Sequence, residues 1–154
     1  MSARDPNCPL CQTDGGELIW QGAHLRVIDA QDPDYPGFTR IIWTAHLPEM
    51  TSLSTRGRDL LMRAVYAVEQ AQHDILQPDK INLAALGNMV PHLHWHIIPR
   101  WREDRHFPGA VWAAPRFATG QEPADFLARR AALASRRQRY HDRLIENMNA
   151  LLWH

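Results

Sequence analysis

The chain has 154 residues, a length that fits a single folded domain. Lys plus Arg and Asp plus Glu number 17 each, so the formal charge is zero, which argues against a protein that follows a nucleic-acid backbone with a basic surface. Hydrophobic residues make up 45% of the chain and charged residues 22%, a composition typical of a globular protein and not of a disordered one.

The amino terminus lacks the charged-then-apolar pattern of a signal peptide, and no apolar stretch approaches the ~18 residues that a membrane span needs. We therefore expect a cytoplasmic protein with neither a membrane nor a nucleic acid as its partner. In a reducing compartment, Cys8 and Cys11 are expected as thiolate ligands or reactive thiols and not as a structural disulfide.

Three segments are predicted along the chain. Segment 1–16 is a polar amino-terminal arm that contains both cysteines and ends in turn-forming residues. In segment 17–115, short stretches rich in β-branched and aromatic residues surround one helix, which apolar spacings of three and four residues place at 55–76. The predicted strands are 17–20, 24–29, 39–44, 80–86 and 92–98. Strands on both sides of a single helix indicate a compact α+β domain.

Segment 116–154 differs in composition from the rest of the chain. It has no Gly after Gly120 and no Pro after Pro123, and its apolar residues form a stripe flanked by arginines. This pattern predicts a carboxy-terminal helical extension, made of one long helix or two. We expect its arginines to face solvent. The same is expected of His106, His141 and His154.

Three of the nine histidines lie within five residues, at His92, His94 and His96. In a strand, alternate side chains point to opposite faces, so these rings share one face while apolar residues occupy the other. Packing alone gives no reason for such a row, because each ring brings polar nitrogens that need partners. Three explanations stay open: hydrogen-bonded or solvent-facing rings, a metal cluster, or an anion site in which one ring is a nucleophile.

The cysteines form a Cys8-Pro9-Leu10-Cys11 stretch, which supplies half of a tetrahedral zinc site. Two further ligands would have to come from elsewhere in the chain. A pair of reduced surface thiols and a redox-active pair are the alternatives. The redox pair is disfavoured because Cys8 precedes every predicted strand instead of opening a helix after one.

The stretch from His92 to Ile98 matches the His-x-His-x-His-apolar-apolar signature of the histidine triad (HIT) family of nucleotide hydrolases and transferases. The resemblance is strengthened by Gly87-Asn88, Pro99-Arg100 and Gly109-Ala110-Val111-Trp112. It covers about 8–115 and is similar to bacterial members that carry an amino-terminal Cys-x-x-Cys. The resemblance implies a HIT-like fold of about five antiparallel strands and one main helix, in a homodimer whose two sheets join across the interface.

The resemblance also implies roles for single residues. His94 is expected as the nucleophile on the α-phosphate of a nucleotide, and His96, with a smaller part for His92, contacts phosphate oxygens or protonates the leaving group. Asn88 takes the position of a phosphate-binding glutamine of many members, and Asp29 resembles a residue that binds the ribose hydroxyls. The nucleotide-binding set is therefore Asp29, Asn88, His94 and His96, and the catalytic set is His92, His94, His96 and Asn88.

Two residues depart from the family pattern. Asn88 is one methylene shorter than the glutamine of many members, which affects how the leaving group is held. Phe38 follows Gly37 where many members have a histidine next to the phosphate, and a phenyl ring cannot supply that hydrogen-bond donor.

The remaining metal ligands are also implied by the resemblance. In zinc-containing bacterial members, the histidine at the position of His46 and the first triad histidine complete the metal site. The implied ligands of a structural zinc ion are therefore Cys8, Cys11, His46 and His92. No organic cofactor is expected.

The leading functional prediction is a hydrolase or nucleotidyl transferase that acts at the α-phosphate of a dinucleoside polyphosphate or a nucleoside phosphoramidate, through a covalent nucleotidyl-histidine. The alternative from another class is a non-catalytic nucleotide-binding module with a regulatory or scaffold role, which Phe38 and Asn88 favour. A zinc hydrolase that uses the triad directly is a third interpretation.

Overall fold

The computed structural model describes residues 3–151. One antiparallel sheet is formed by five strands: β1 Glu17–Gln21, β2 Leu25–Asp29, β3 Thr39–Trp43, β4 Lys80–Ala84 and β5 His94–Arg100. Their order across the sheet is β1-β2-β3-β5-β4. The helices are α1 Pro9–Gln12, α2 Thr55–Ala71, α3 Ala124–Ala134 and α4 Arg137–Leu151. This architecture confirms the predicted α+β fold, with one main helix and a carboxy-terminal helical part.

The main helix, α2, begins and ends where local sequence signals indicate. The Ser54 Oγ accepts a hydrogen bond from the Gly57 N–H at 3.1 Å, which caps the first turn. The helix continues into a π-helical turn over Gln72–Leu76, and Gln77 then adopts a left-handed conformation with a φ of 51°. Pro78 follows and cannot extend the helix, so the helical region ends at the predicted residue.

Strand β5 differs from its predicted limits at both ends. It begins at His94 and not at His92, because pairing with β3 starts only at His94. It ends at Arg100, beyond the predicted limit. Pro99 is accommodated because β3 pairs with β5 only as far as Ile97, which leaves β4 as the single neighbouring strand at Pro99. Both shifts are two residues, and the other four strands also lie within two residues of their predicted limits.

One face of the sheet packs against α2 and α4, and the hydrophobic core lies between these layers. Val27 of the sheet, Val65 of α2 and Leu144 of α4 are fully buried in it. The Tyr140 hydroxyl of α4 hydrogen-bonds with the Thr39 hydroxyl of β3 at 2.5 Å. The carboxy-terminal part therefore completes the helical layer, and it consists of two helices, α3 and α4.

The division of the chain at 16 and 115 stays a prediction. Residues 1–2 of the arm and 152–154 of the extension, including His154, lie outside the described residues. Within the described part of the chain, no helix is both long enough and apolar enough to cross a membrane.

Candidate functional site

Strand pairing places two triad histidines and an arginine on one face of the sheet. His94 lies opposite Ile42, and His96 lies opposite Arg40, in the antiparallel ladder between β5 and β3. Directly paired residues of antiparallel strands share a face, so the Arg40 side chain lies beside the His96 ring. The helical layer covers the other face, which leaves this one open to a ligand.

A groove of about 580 Å³ opens over His94 and His96. Its walls come from three parts of the chain: Leu10 of the arm, loop residues 86–90 between β4 and β5, and Trp112. Trp112 exposes 62% of its surface, so one wall offers an aromatic face to a ligand. Among the described residues that line the groove there is no Asp or Glu. The groove therefore suits an anionic ligand that also has an apolar part.

The His94 ring is held with one nitrogen free. Its Nδ1 lies 2.5 Å from the His92 carbonyl oxygen, so Nδ1 carries a proton and donates it to this oxygen. The Nε2 atom then holds the lone pair, and it has no hydrogen-bond partner among the described residues. A neutral imidazole in this tautomer can attack an electrophile through Nε2.

The His96 ring is held in the opposite tautomer. The Arg40 Nε donates a hydrogen bond to the His96 Nδ1 at 3.2 Å, so the proton of the neutral ring lies on Nε2. Burial, helped by the positive charge of Arg40 and by His94, lowers the pKa of His96 to about 4. At neutral pH this ring is therefore an uncharged donor whose centroid lies 4.9 Å from that of His94.

The two residues that depart from the family pattern have different surroundings. Phe38 is buried, and the Arg40 guanidinium carbon lies 5.1 Å from its ring centroid. The Phe38 ring also meets the His96 ring edge-on, with centroids 5.8 Å apart. Asn88 is exposed in the loop that lines the groove. Phe38 thus supports the polar groups beside it, and Asn88 lies where a ligand can reach its amide.

Four predicted metal ligands lie together: Cys8, Cys11, His46 and His92. Their ligand atoms are all within 4.8 Å of one another. The His92 Nδ1 is 3.4 Å from the Cys8 Sγ and 3.5 Å from the Cys11 Sγ. The His46 Nδ1 is 3.5 Å from the Cys11 Sγ. Tetrahedral zinc, with bonds of about 2.3 Å to sulfur and about 2.0 Å to nitrogen, separates such atoms by about 3.6 Å. The cluster therefore has the spacing of a metal site.

Hydrogen bonds around this cluster direct the ligand atoms inward. The His92 Nε2 lies 2.6 Å from the Trp43 carbonyl oxygen and donates its proton there, which leaves Nδ1 unprotonated toward the two sulfurs. Burial lowers the pKa of His92, and a metal needs the neutral ring. The Asp5 N–H donates to the Cys11 Sγ at 3.5 Å. A set of two thiolates and two imidazoles is typical of a closed structural site.

Arg26 holds the amino-terminal arm against the sheet. From β2, its guanidinium donates hydrogen bonds to the carbonyl oxygens of Leu10, Thr13 and Asp14 at 2.7, 3.0 and 2.9 Å. Short helix α1 follows Cys8, contains Cys11 and has Pro9 in its first turn, where the missing N–H costs no hydrogen bond. The two cysteines of the cluster and the Leu10 wall of the groove therefore belong to one anchored segment.

Asp29 is not brought together with His94. It pairs with Thr39 in the ladder between β2 and β3, and Thr39 pairs with Ile97 in β5. This row alternates with the row of the histidines, so the Asp29 side chain lies on the face that the helices cover. The prediction that Asp29 binds ribose hydroxyls is not tested by this placement and stays a prediction.

In this structure the Asp29 carboxylate is engaged by α4. It accepts hydrogen bonds from the Arg137 Nε at 2.9 Å and from the His141 Nε2 at 3.0 Å, and also from the Gln31 N–H at 2.7 Å. Burial acts to raise the pKa of Asp29, but these hydrogen bonds outweigh it and hold the pKa below its usual range. His141 is buried, so the prediction that it faces solvent is wrong.

Sequence reasoning missed Arg40. In the predicted strand 39–44 it reads as a single solvent-facing cation among apolar residues. The strand period supplies a signal that could have found it, because Arg40 follows Phe38 by two residues and therefore shares its face. The resemblance already places the position of Phe38 next to the phosphate.

The HIT domain family matches this chain over residues 16–103, more than half of its length. The chain belongs to the HIT family. No curated protein sequence matches this HIT protein.

Solved histidine triad proteins from three bacteria are similar to this HIT protein. The one from Bradyrhizobium japonicum is 28% identical, with a TM-score of 0.61 over 80% of this chain and 92% of that one. The one from Sinorhizobium meliloti is 23% identical, with a TM-score of 0.65 over 87% and 90%. The one from Marinobacter aquaeolei is 24% identical, with a TM-score of 0.62 over 89% and 98%. The similarities to the Sinorhizobium meliloti and Marinobacter aquaeolei proteins show a shared fold.

Proposed function

We propose that this HIT protein is a hydrolase or nucleotidyl transferase that acts at the α-phosphate of nucleoside phosphate derivatives through a covalent intermediate on His94. The substrate is a dinucleoside polyphosphate or a nucleoside phosphoramidate. The orientation of the His94 ring carries the proposal, because its Nδ1 is fixed as a donor to the His92 carbonyl oxygen while Nε2, at the groove, has no partner within residues 3–151. Membership of the HIT family supports a nucleotide as the ligand.

The reaction consists of two displacements at the same phosphorus. In the first, the His94 Nε2 attacks the α-phosphorus, a P–N bond forms, and the leaving group departs with the electron pair of its broken bond. In the second, water attacks this phosphorus, the electron pair of the P–N bond returns to Nε2, and one proton is released as the mononucleotide forms. Transfer to another nucleophile follows the same second step.

Three neighbours assist these displacements. The neutral His96 donates from Nε2 to a phosphate oxygen or to the leaving group. The Asn88 amide is the candidate donor from the loop side of the groove. His92 contributes through its carbonyl oxygen, which fixes the tautomer of His94, because both of its own ring nitrogens are engaged elsewhere.

The second candidate function is a nucleotide-binding module without turnover. Its support comes from Phe38 and Asn88, since a phenyl ring replaces one expected donor and a shorter amide replaces another. The groove, the neutral His96 and the Arg40 guanidinium would still bind an anionic ligand. Tight binding of AMP in calorimetry, with no hydrolysis of either substrate class, is the result that favours this candidate.

The test of the proposed function is the substitution His94→Ala. We expect it to lower kcat for diadenosine tetraphosphate and for adenosine 5′-phosphoramidate by at least about 10³-fold, because no other side chain replaces the nucleophile. His73→Ala is the matched control, since His73 is an exposed histidine outside the groove. Turnover by His94→Ala equal to that of the wild type would contradict the proposal.

The proposal includes a structural zinc ion. Its ligands are Cys8, Cys11, His46 and His92. Two thiolates and two neutral imidazoles at tetrahedral spacing suit zinc, and a closed set of four leaves no position for water. Zinc would join the arm to the sheet and would take no part in the displacements. Reduced thiols in such a site fit a cytoplasmic location.

The proposal also includes a homodimer in which two copies join along β4. This strand lies at one edge of the sheet. Leu83 on β4 exposes 37% of its surface, and it lies with the exposed Trp112 along one shallow depression. An unpaired strand edge flanked by apolar side chains is a natural site for pairing with a second copy of the chain.

A further inference from the structure

Arg40 has hydrogen-bonding capacity that the fold does not use. Its Nε donates to the His96 Nδ1, and its two terminal nitrogens have no hydrogen-bond partner among the described residues. The side chain is half-buried and lines the groove together with both histidines. A guanidinium fork with free terminal nitrogens is suited to bidentate contact with a phosphate group.

The position of this guanidinium is fixed from two sides. Phe38 lies under it, with 5.1 Å between the ring centroid and the guanidinium carbon. The hydrogen bond to His96 fixes its direction within the sheet face. Because both contacts hold the group before any ligand arrives, little side-chain freedom is lost when an anion binds.

Arg40 also sets the charge of the groove. Among the described residues that line it, Arg40 is the one Lys or Arg, and none is Asp or Glu. The Asp32 carboxylate acts on Arg40 from outside this lining. His96 stays neutral, so the site has a separate donor for the α-phosphate and a full positive charge next to it. A positive charge beside the reacting group stabilises negative charge that develops there in the transition state.

We propose that Arg40 binds the phosphate chain of the leaving group, which makes nucleotide phosphoric anhydrides the substrate class of this site in preference to phosphoramidates. This inference rests on the proposed function. When the His94 Nε2 attacks the α-phosphorus of an anhydride, the bond to the bridging oxygen breaks and its electron pair leaves on the β-phosphate oxygen. Arg40 stabilises this new anion. A phosphoramidate releases a neutral amine after protonation and gains nothing from the guanidinium.

The test measures kcat/KM for diadenosine tetraphosphate and for adenosine 5′-phosphoramidate in the wild type, Arg40→Gln and Arg40→Lys. We expect Arg40→Gln to lower the value for the anhydride by about 10²-fold or more and that for the phosphoramidate by less than about 10-fold. For the anhydride, kcat/KM of Arg40→Lys should lie between the values of the wild type and Arg40→Gln, because lysine keeps the positive charge but lacks the paired N–H donors of the guanidinium. Turnover of the phosphoramidate shows at the same time that the variant is folded.

Arg56→Gln is the matched control, since it removes the same charge from an exposed position in the first turn of α2. We expect it to leave both values unchanged. Equal losses on both substrates in Arg40→Gln would overturn the inference, because Arg40 would then act on the α-phosphate that the substrates share. Unchanged kinetics would overturn it as well.

Failure of the proposed function gives a different result. In that case the wild type hydrolyses neither substrate, and the role of Arg40 is decided by calorimetry. Arg40→Gln is then expected to weaken binding of diadenosine tetraphosphate by about 10-fold or more while AMP binds as it does to the wild type. Equal weakening for both ligands would contradict the assignment of Arg40 to the leaving phosphates.

Discussion

The groove contains two neighbouring imidazoles with different tautomers, and a single hydrogen bond determines each. The His92 carbonyl oxygen fixes the proton of His94 on Nδ1, while the Arg40 Nε fixes that of His96 on Nε2. One ring therefore offers a lone pair and the other offers a proton. This division needs no charged histidine, so a neutral chain can bind an anion with one arginine and fixed dipoles.

We expect His96 to remain neutral across the physiological pH range. Burial and the charge of Arg40 lower its pKa to about 4, from about 6.5 in an unfolded chain. Because the folded pKa is the lower one, the stability that the neutral ring contributes is present above pH ~6.5 and is lost as the pH falls toward 4.

NMR titration of the histidine rings measures this pKa, and the spectrum of His96→Asn assigns the signal. A midpoint near 4 is the expected result. A midpoint near 6.5 would contradict the neutral-donor role of His96.

The sequence alone identifies the site residues that lie close to one another along the chain. The alternation of His92, His94 and His96 and the Cys8–Cys11 spacing need no tertiary information, and both lead to groups that the structure brings to one place. Arg40 and Asp29 are different. Strand alternation indicates that Arg40 shares a face with Phe38. The pairing of Arg40 with His96, and the placement of Asp29 on the face opposite His94, follow from the register between strands, which no local pattern determines.

At the scale of elements, two segments hold the sheet from its opposite faces. On the helix face, α4 completes the core and engages Asp29 through Arg137 and His141, contacts that join residues 108 and 112 positions apart. An amphipathic stripe predicts that such a helix packs against the core, but it does not predict that Arg137 and His141 contact Asp29. This is why the helical extension was expected and the burial of His141 was not.

On the histidine face, the arm connects the metal cluster to the groove. Cys8 and Cys11 flank Leu10, and Leu10 is part of the groove wall. Removal of the proposed zinc ion should therefore loosen the wall as well as the arm. The expected consequence is a weaker fold and weaker substrate binding, with the chemical step itself retained.

We expect about one zinc ion per chain in the purified protein, and its loss from Cys11→Ser and from His46→Ala. Both variants should melt more than about 5 °C below the wild type and show a raised KM, because zinc binding contributes to folding. Metal analysis, thermal melting and steady-state kinetics measure these quantities.

His73→Ala, which changes a histidine outside the cluster, should keep its zinc. Two results would contradict a structural role. One is full zinc content in both ligand variants. The other is a complete loss of kcat on chelation with an unchanged melting temperature, which would indicate a catalytic metal.

At the scale of the whole molecule, the two edges of the sheet differ in their surroundings. β1 ends the sheet on one side, near α4, and β4 ends it on the other, near Trp112 and the groove. Each edge has one exposed leucine, Leu18 on β1 and Leu83 on β4. These leucines allow a direct comparison of the two edges as interfaces.

We expect the wild-type protein to sediment as a dimer. Leu83→Glu should raise the dissociation constant of this dimer by at least about 10-fold, because the two introduced carboxylates would face each other across a two-fold interface. Leu18→Glu is the matched control and should leave the dimer intact. Sedimentation velocity over a range of protein concentrations measures both. A monomeric wild type, or equal effects of the two substitutions, would contradict pairing along β4.

The central claim concerns a nucleotidyl group on His94, and the stereochemistry at phosphorus tests it most directly. The substrate is a diadenosine polyphosphate in which one sulfur replaces an oxygen on the α-phosphate, so that this phosphorus has a known configuration. It is hydrolysed in ¹⁸O-labelled water, and the configuration at phosphorus of the released adenosine thiophosphate is then determined. Two in-line displacements each invert the centre, so we predict net retention. Net inversion would contradict the claim, because water would then attack the substrate directly and His94 would not be the nucleophile.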